Sequence, residues 1–460
     1  MKNKKTSLIT SISSFLFVIA AIPLSGCRFI HTEESVKEYK RNYRFNEIRV
    51  AEQNTFRKIN DISFPNPEYP VKSNVSDLEA EAYADFSNKT YHALVDTQKV
   101  NNFSYATVGL YSLMNELVGA SCREQLTADL NTLLGLNESQ REAFYSKLMK
   151  ANSYASEEST TQLKNAAFFN NSFAYNPAYI DILSRLYCQA FELSFKNDAN
   201  KMVEWVNQAV NSDGFIDTKF LELTEDSELY LFSTLYFKNM WANKYLAENN
   251  IEDDFYLSDG SKTKVTYMKH SYMTEFYYDY GDYISVSDYY ARGNASITYI
   301  IPKKTEDNIF ELTKDANIFF EDESKRVIDE SEYRSWYTVH LKTPKFTLKS
   351  DLNFKQSLSS LGFASMFSDQ VDSFHNAFKD DKLDGFNLYI SVMKQRNEVE
   401  FNEDGSVVKS VSMAGISKAE SAMPGDFNTL DVDLNQPFIY IIRDINNTPI
   451  FVGHVDNPKG

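Results

Sequence analysis

Apolar positions first recur at helical spacing from Ser76-Asp77-Leu78-Glu79, a sequence suited to a capped start, through Leu94. A short extended piece beginning at Asn102 then leads into a second helix that runs to Ala120, and the pattern predicts a strand at Asn165–Phe169 and a helix from Tyr179 to Tyr187. The apolar run from Leu229 to Trp241 reads as a buried central strand. Four alternating runs follow at roughly ten-residue intervals, Thr263–Met268, Met273–Tyr280, Ile284–Tyr289 and Ala295–Pro302, as antiparallel sheets require. Near the end, Val399-Glu400-Phe401 alternates, and Gln436–Arg443 with Pro449–Gly453 reads as a hairpin turning at Asn446-Asn447. Between them lies a long stretch of small and polar residues, Glu403–Glu420. A loop of that length between two strong strands is usually functional.

The N-terminus carries a different signal. Lys2, Lys4 and Lys5 precede the apolar run Phe15–Ile22, and Leu24-Ser25-Gly26-Cys27 follows, the pattern of an export signal. The Cys after Leu-Ser-Gly resembles the bacterial lipobox, which implies a lipoprotein signal peptide over 1–26 and acylation of Cys27. A plain secretory signal and a short membrane anchor are the other readings, although the apolar run is short for a span. From Arg28 the chain is polar and aperiodic, with Pro65, Pro67 and Pro70 close together. Residues 27–75 are therefore expected to be a lipid-anchored tether.

Hydrophobic residues at 43% allow a sizeable core, and 460 residues allow two domains or one large one. The formal net charge of −17 becomes −20 once residues 1–26 and their three lysines are removed, which argues against nucleic acid or an anionic membrane surface as a partner. Cys122 and Cys188 could pair in an exported protein or remain two buried thiols. The six histidines are scattered, so neither a metal site nor a cofactor is expected. No catalytic motif is found, and the protein is not expected to be an enzyme.

Several segments, in one consistent order, resemble the serpin family. The run Asn102–Ala120 is similar to the family's Asn-x-x-x-Ser-Pro-x-Ser-Ile, with Tyr105 and Thr107 replacing Pro and Ser. Trp205-Val206 and Gly214-Phe215-Ile216 fit two further elements, and the run Leu229–Trp241 is close to the family's Asn-Ala-x-Tyr-Phe-Lys-Gly-x-Trp, with Ser233 and Asn239 as departures. Leu341–Phe346 fits the Leu-Pro-Lys-Phe strand, and Glu403-Asp404-Gly405-Ser406 fits the hinge of the reactive-centre loop. The resemblance implies one α+β domain over 76–460 with the serpin fold: three mainly antiparallel β-sheets, about eight or nine helices, and an exposed reactive-centre loop at about 405–430. A monomer is expected.

The same resemblance implies a suicide-substrate inhibitor of serine proteases, with cysteine proteases as a second target class, held to them in a covalent complex. The protease would acylate itself on the loop, and insertion of the loop into the main sheet would carry it away before deacylation. About twelve inserted residues at roughly 3.3 Å each span some 40 Å. Counted from Glu403 and Gly405, the inward set would be Ser406, Val408, Ser410, Ser412, Ala414 and Ile416, none charged, and no proline interrupts Gly405–Ala422. An ordinary flexible loop would need no such parity. Family spacing puts the attacked bond at Ala419-Glu420, suiting an elastase-like enzyme, or one residue earlier at Lys418-Ala419, suiting a trypsin-like one. The buried cluster that controls sheet opening is assigned to Ser104, Thr107, Val203 and Gln395, the last two in place of the usual Asn and His. The Val-Val-Lys-Ser-Val run after the hinge replaces the usual alanines, which leaves open a non-inhibitory relative acting as a binding or chaperone-like surface lipoprotein. The expected location is the bacterial cell envelope, with the membrane reached only through the lipid anchor.

Overall fold

A computed structural model describes residues 13–21, 56–98, 102–328, 336–406 and 428–459. Among them are eight α-helices and three sheets of nine, six and four strands. Pairing is antiparallel except between Ser159–Asn170 and Cys188–Leu193 and between Tyr337–Pro344 and Asn428–Asp433. The expected α+β architecture is therefore observed.

Six strands surround the loop hinge and the centre of the main sheet: β1 (Ser13–Ala21), β2 (Ser159–Asn170), β3 (Leu229–Met240), β4 (Phe346–Asn353), β5 (Ile390–Phe401) and β6 (Gly405–Ser406). Across the nine-stranded main sheet the order is β4, β5, β1, β3, β2, then Cys188–Leu193 and the two-residue edge strand Arg57–Lys58. β6 pairs with the end of β3. β3 and β5 run parallel to each other and β1 lies between them, antiparallel to both.

Helix α1 (Asp77–Gln98) begins as its sequence requires. The Glu79 carboxylate accepts from the Ser76 backbone N–H at 2.8 Å, and the Ser76 hydroxyl accepts from the Glu79 N–H at 3.4 Å. Helix α2 (Thr107–Ala120) is buried nearly all round beneath the main sheet, which explains why its sequence is mostly apolar, with Ser112, Asn115 and Glu116 as buried polar exceptions. Helix α3 (Phe195–Ala209) covers the opposite face. Its Phe195, Met202 and Val206 form a second, smaller core with Phe168, Tyr230 and Phe232.

β3 thus alternates between two cores. Leu229, Leu231, Leu235 and Phe237 belong to the large one, and Tyr230 and Phe232 belong to the small one. A strand buried on both faces is expected to be largely apolar, as Leu229–Phe232 and Leu235–Phe237 are, with Ser233 and Thr234 as buried polar exceptions.

Two expectations change. Residues 56–75 do not hang free: Phe56 stacks on Phe191 at 5.4 Å, Asn60 bonds both Cys188 and Ala190, and Pro67 and Val71 make backbone bonds to Ala155 and Lys150. They form a strap along the domain, so the tether expected over 27–75 is at most its first part. The cysteines are both free thiols, and only Cys188 is buried, whereas Cys122 is exposed.

Candidate functional site

At its end β5 turns sharply through Asn402-Glu403-Asp404 into β6. The Asn402 side chain accepts from the Asp404 N–H at 3.0 Å, and Asn402 and Gly405 exchange backbone bonds of 3.2 Å. Gly405 has φ +125°, and a Cβ there would sit 2.2 Å from the Asn239 carbonyl oxygen and 2.7 Å from Met240 Cα. Only glycine can bring the loop's backbone this close to β3. Gly405 then pairs with Met240, and Ser406 with Asn239.

The hinge is clamped from three sides. Trp241, buried and stacked on Tyr290 at 4.8 Å, donates its indole N–H to the Asn402 carbonyl at 2.9 Å. The Glu403 carboxylate takes both oxygens to Lys345 Nζ at 2.8 Å and accepts from Asn250 at 2.5 Å. Burial by itself would raise the Glu403 pKa, but the Lys345 and Asn250 bonds outweigh it and hold the carboxyl below its ordinary value. Asn239, where the family resemblance leads one to expect Gly, is fully buried and bonds Tyr154 and Thr161 through its side chain.

Further down, beneath the middle of the sheet, lies a polar cluster. The Gln395 amide accepts from the Ala106 N–H at 2.9 Å and donates to the Ala106 carbonyl at 3.2 Å, clasping the junction into α2. Asn397 donates to the Ser104 carbonyl at 2.6 Å and to Gln395 at 3.0 Å, and Ser350 of β4 closes the group on Ser104. Thr107 lies beside it, donating to the Pro449 carbonyl at 3.1 Å.

Ser104, Thr107 and Gln395 therefore gather as expected, but Val203 does not. Val203 is on α3, packed into the small core on the other side of the sheet. The residue of β3 at the Gln395 rung is Ser233, which pairs on its far side with Asn165 of β2. Ser233 Oγ is buried and has no hydrogen-bond partner among the described residues. Asn397 escapes the sequence reading, although Gln395-x-Asn397 sets two polar side chains at the buried parity of β5, a signal its alternation contains. Cys27, Val408, Ser410, Ser412, Lys418, Ala419 and Glu420 lie outside the described residues.

A sheet whose central strands carry buried polar groups, with a glycine hinge laying the start of a loop against one of them, is the arrangement that the family resemblance implies. The family model described as Serpin (serine protease inhibitor) matches residues 81–458, so the chain belongs to the serpin family. It is similar to human antithrombin-III, 24% identical over 394 residues that cover 82% of each chain. It is also similar to wheat Serpin-Z2B, 24% identical over 78% of this chain and 90% of that one. Among solved structures, the native state of the thermophilic serpin tengpin aligns with a TM-score of 0.66 at 21% identity, covering 85% of this chain and 97% of the other.

Proposed function

We propose that the protein inhibits serine proteases of elastase-like or trypsin-like specificity by the suicide-substrate route. The observation that carries this reading is the register at the hinge. Continued from Gly405 and Ser406 along β3, it would pair Val408, Ser410, Ser412, Ala414 and Ile416 with Phe237, Leu235, Ser233, Leu231 and Leu229. Those β3 residues line or adjoin the large core, so the loop's small and apolar residues would enter the buried face. Ser412 would arrive beside the unpartnered Ser233 hydroxyl and complete the polar row with Asn165 and Gln395. Lys409 would fall on the outer parity, at the rung whose β5 member is Glu398, an opposite-charge pair.

In the reaction, the protease hydroxyl would add to the Ala419 carbonyl carbon. The Ala419–Glu420 bond then breaks, the new amine of Glu420 takes the proton, and Ala419 remains esterified to the enzyme. Insertion would follow before water attacks the ester. Cleavage at Lys418-Ala419 is the alternative register, the one a trypsin-like enzyme would choose.

We further infer that the mature protein starts at an acylated Cys27 and is held at the bacterial envelope. The lipobox-like Leu24-Ser25-Gly26-Cys27 supports this, and mass spectrometry of the envelope fraction for a lipid-modified N-terminus tests it. The competing binding or chaperone-like role is favoured by one feature, the β-branched Val407-Val408 and Val411 where insertion-competent relatives have alanines.

The deciding experiment mixes the processed protein with an elastase-like and a trypsin-like protease and looks for a complex that survives boiling in detergent. Sequencing the released peptide identifies the bond. Cleavage without complex across a broad protease panel rejects inhibition and leaves the binding role.

A further inference from the structure

The strand between β3 and β5 comes not from the loop but from the N-terminal apolar run. β1 pairs in register with both neighbours: Ser13 with Phe237, Phe17 with Ser233 and Gln395, and Ala21 with Leu229. Extending the β6 register places Val408 at the Phe237 rung and Ile416 at the Leu229 rung. The nine residues of β1 therefore hold the same nine rungs, in the same antiparallel sense, that the loop would need.

We propose that Ser13–Ala21 is a competing strand that fills the loop's place in the main sheet while it remains attached, so that the unprocessed chain cannot insert its loop and is armed as an inhibitor only when the leader is removed. Arming as an inhibitor rests on the loop-insertion reading. Occupancy of the slot does not.

Three physical features support this. A slot between two central strands exposes unpaired backbone groups on both sides, and a strand entering it satisfies two ladders at once. Ser13–Ala21 contains no charge and no proline, and it has β-branched or aromatic residues at Phe15, Phe17, Val18 and Ile19, a composition that suits a strand covered on both faces. The tethered segment also competes intramolecularly, and residues 22–55, at about 3.3–3.6 Å per extended residue, are long enough to connect β1 to the strap at Phe56. Mutual exclusion is then a matter of geometry, since two strands cannot share one rung.

The test uses the full chain with Cys27→Ser, made without export so that the leader stays on, beside the same chain carrying Phe17→Pro. Proline cannot be held at the centre of a sheet. Amide hydrogen exchange is read at 231–235 and 393–397, the edges of the slot. Loss of β1 should speed exchange there by about tenfold or more, with Phe438–Asp444 unchanged as an internal control. Unchanged exchange at the slot overturns the proposal whatever any protease does.

Each chain is then challenged with the protease. The parent should be cut without forming a detergent-stable complex, and the Phe17→Pro chain should form one. A complex formed equally by the parent overturns the proposal. Faster exchange with no complex from either chain upholds leader occupancy and places the failure in the inhibitor reading. Should Phe17→Pro fail to fold, a synthetic Ser13–Ala21 peptide with a lysine tail, added to the processed protein, takes its place. It should slow exchange at the slot and abolish complex formation, and failure to slow exchange overturns the proposal.

Discussion

The main sheet and the six-stranded sheet are built from the same element in the same chain, yet their middles differ. In the six-stranded sheet, Phe438–Asp444 and Pro449–Val455 are buried at every residue, and Ile439, Ile441, Phe451 and Val452 are fully enclosed. In the main sheet, the rungs on either side of the slot carry Asn165, Ser233, Gln395 and Asn397 among the apolar residues. The rungs Ile441–Val452 and Ile442–Phe451 cannot be parted without exposing hydrocarbon to water, and the buried Ser287 and Thr298 of the same sheet satisfy each other. A polar row with unmet hydrogen-bonding capacity, Ser233 Oγ and Asn165 Oδ1 among it, is one that on the insertion reading a different strand would satisfy.

That contrast can be broken in order of expected effect. Trp241→Ala removes a buried ring at the top of the main sheet and should cost about 3–5 kcal/mol in denaturant unfolding while also freeing the hinge. Ile441→Ala, in the sealed sheet, should cost about 2–5 kcal/mol yet leave the ratio of trapped to merely cleaved molecules where it was. If that ratio shifted, the two sheets would not act as separate units. Gly405→Ala forces a side chain onto Asn239 and Met240 at a positive φ, costing about 1–3 kcal/mol, and should turn trapping into plain cleavage, as read on a denaturing gel.

Acid sharpens the comparison with the smallest effect. The Glu403 carboxyl titrates below its ordinary value, so its contribution, about 1 kcal/mol after allowance for the partly exposed Lys345, is present above the ordinary carboxylate range and lost as pH falls through the folded value. Asp444, at the end of the sealed sheet's hairpin, is pushed up to about 6 by burial, so its contribution has the opposite slope, favouring the fold at low pH and fading as pH rises from about 4 to 6. Melting curves of Glu403→Gln and Asp444→Asn across that range should therefore change slope in opposite directions. Parallel changes would show that one of the two assignments is wrong.

Much of this architecture is legible in the chain. The capped start at Ser76 and the hairpin after Gln436 obey local rules, and the structure places them where those rules do, whereas the turn at Glu403–Gly405 comes from the family resemblance. The Val203 assignment fails because the family resemblance carries a position in the chain and not the side of the sheet that its helix covers, and Val203 packs into the small core. The strap at 56–75 reads as tether because its contacts are single ones, a ring here and a backbone bond there, which leave no period in the sequence. A short apolar run such as Ser13–Ala21 satisfies both an export leader and a doubly covered strand, and pattern alone cannot choose between them.

The two-residue ladder at Gly405-Ser406 has a bearing on timing. Starting a new strand ordinarily means closing a loop and fixing several dihedrals before any bond repays the loss. Here Met240 and Asn239 already hold the loop's first pairs, so nucleation is complete in the resting molecule. On the insertion reading what remains is propagation, whose slow event would be the freeing of the rungs between β3 and β5 that β1 holds, rather than the search for register. On that reading, the protein's speed in any contest with a protease would be set by how readily its own sheet yields.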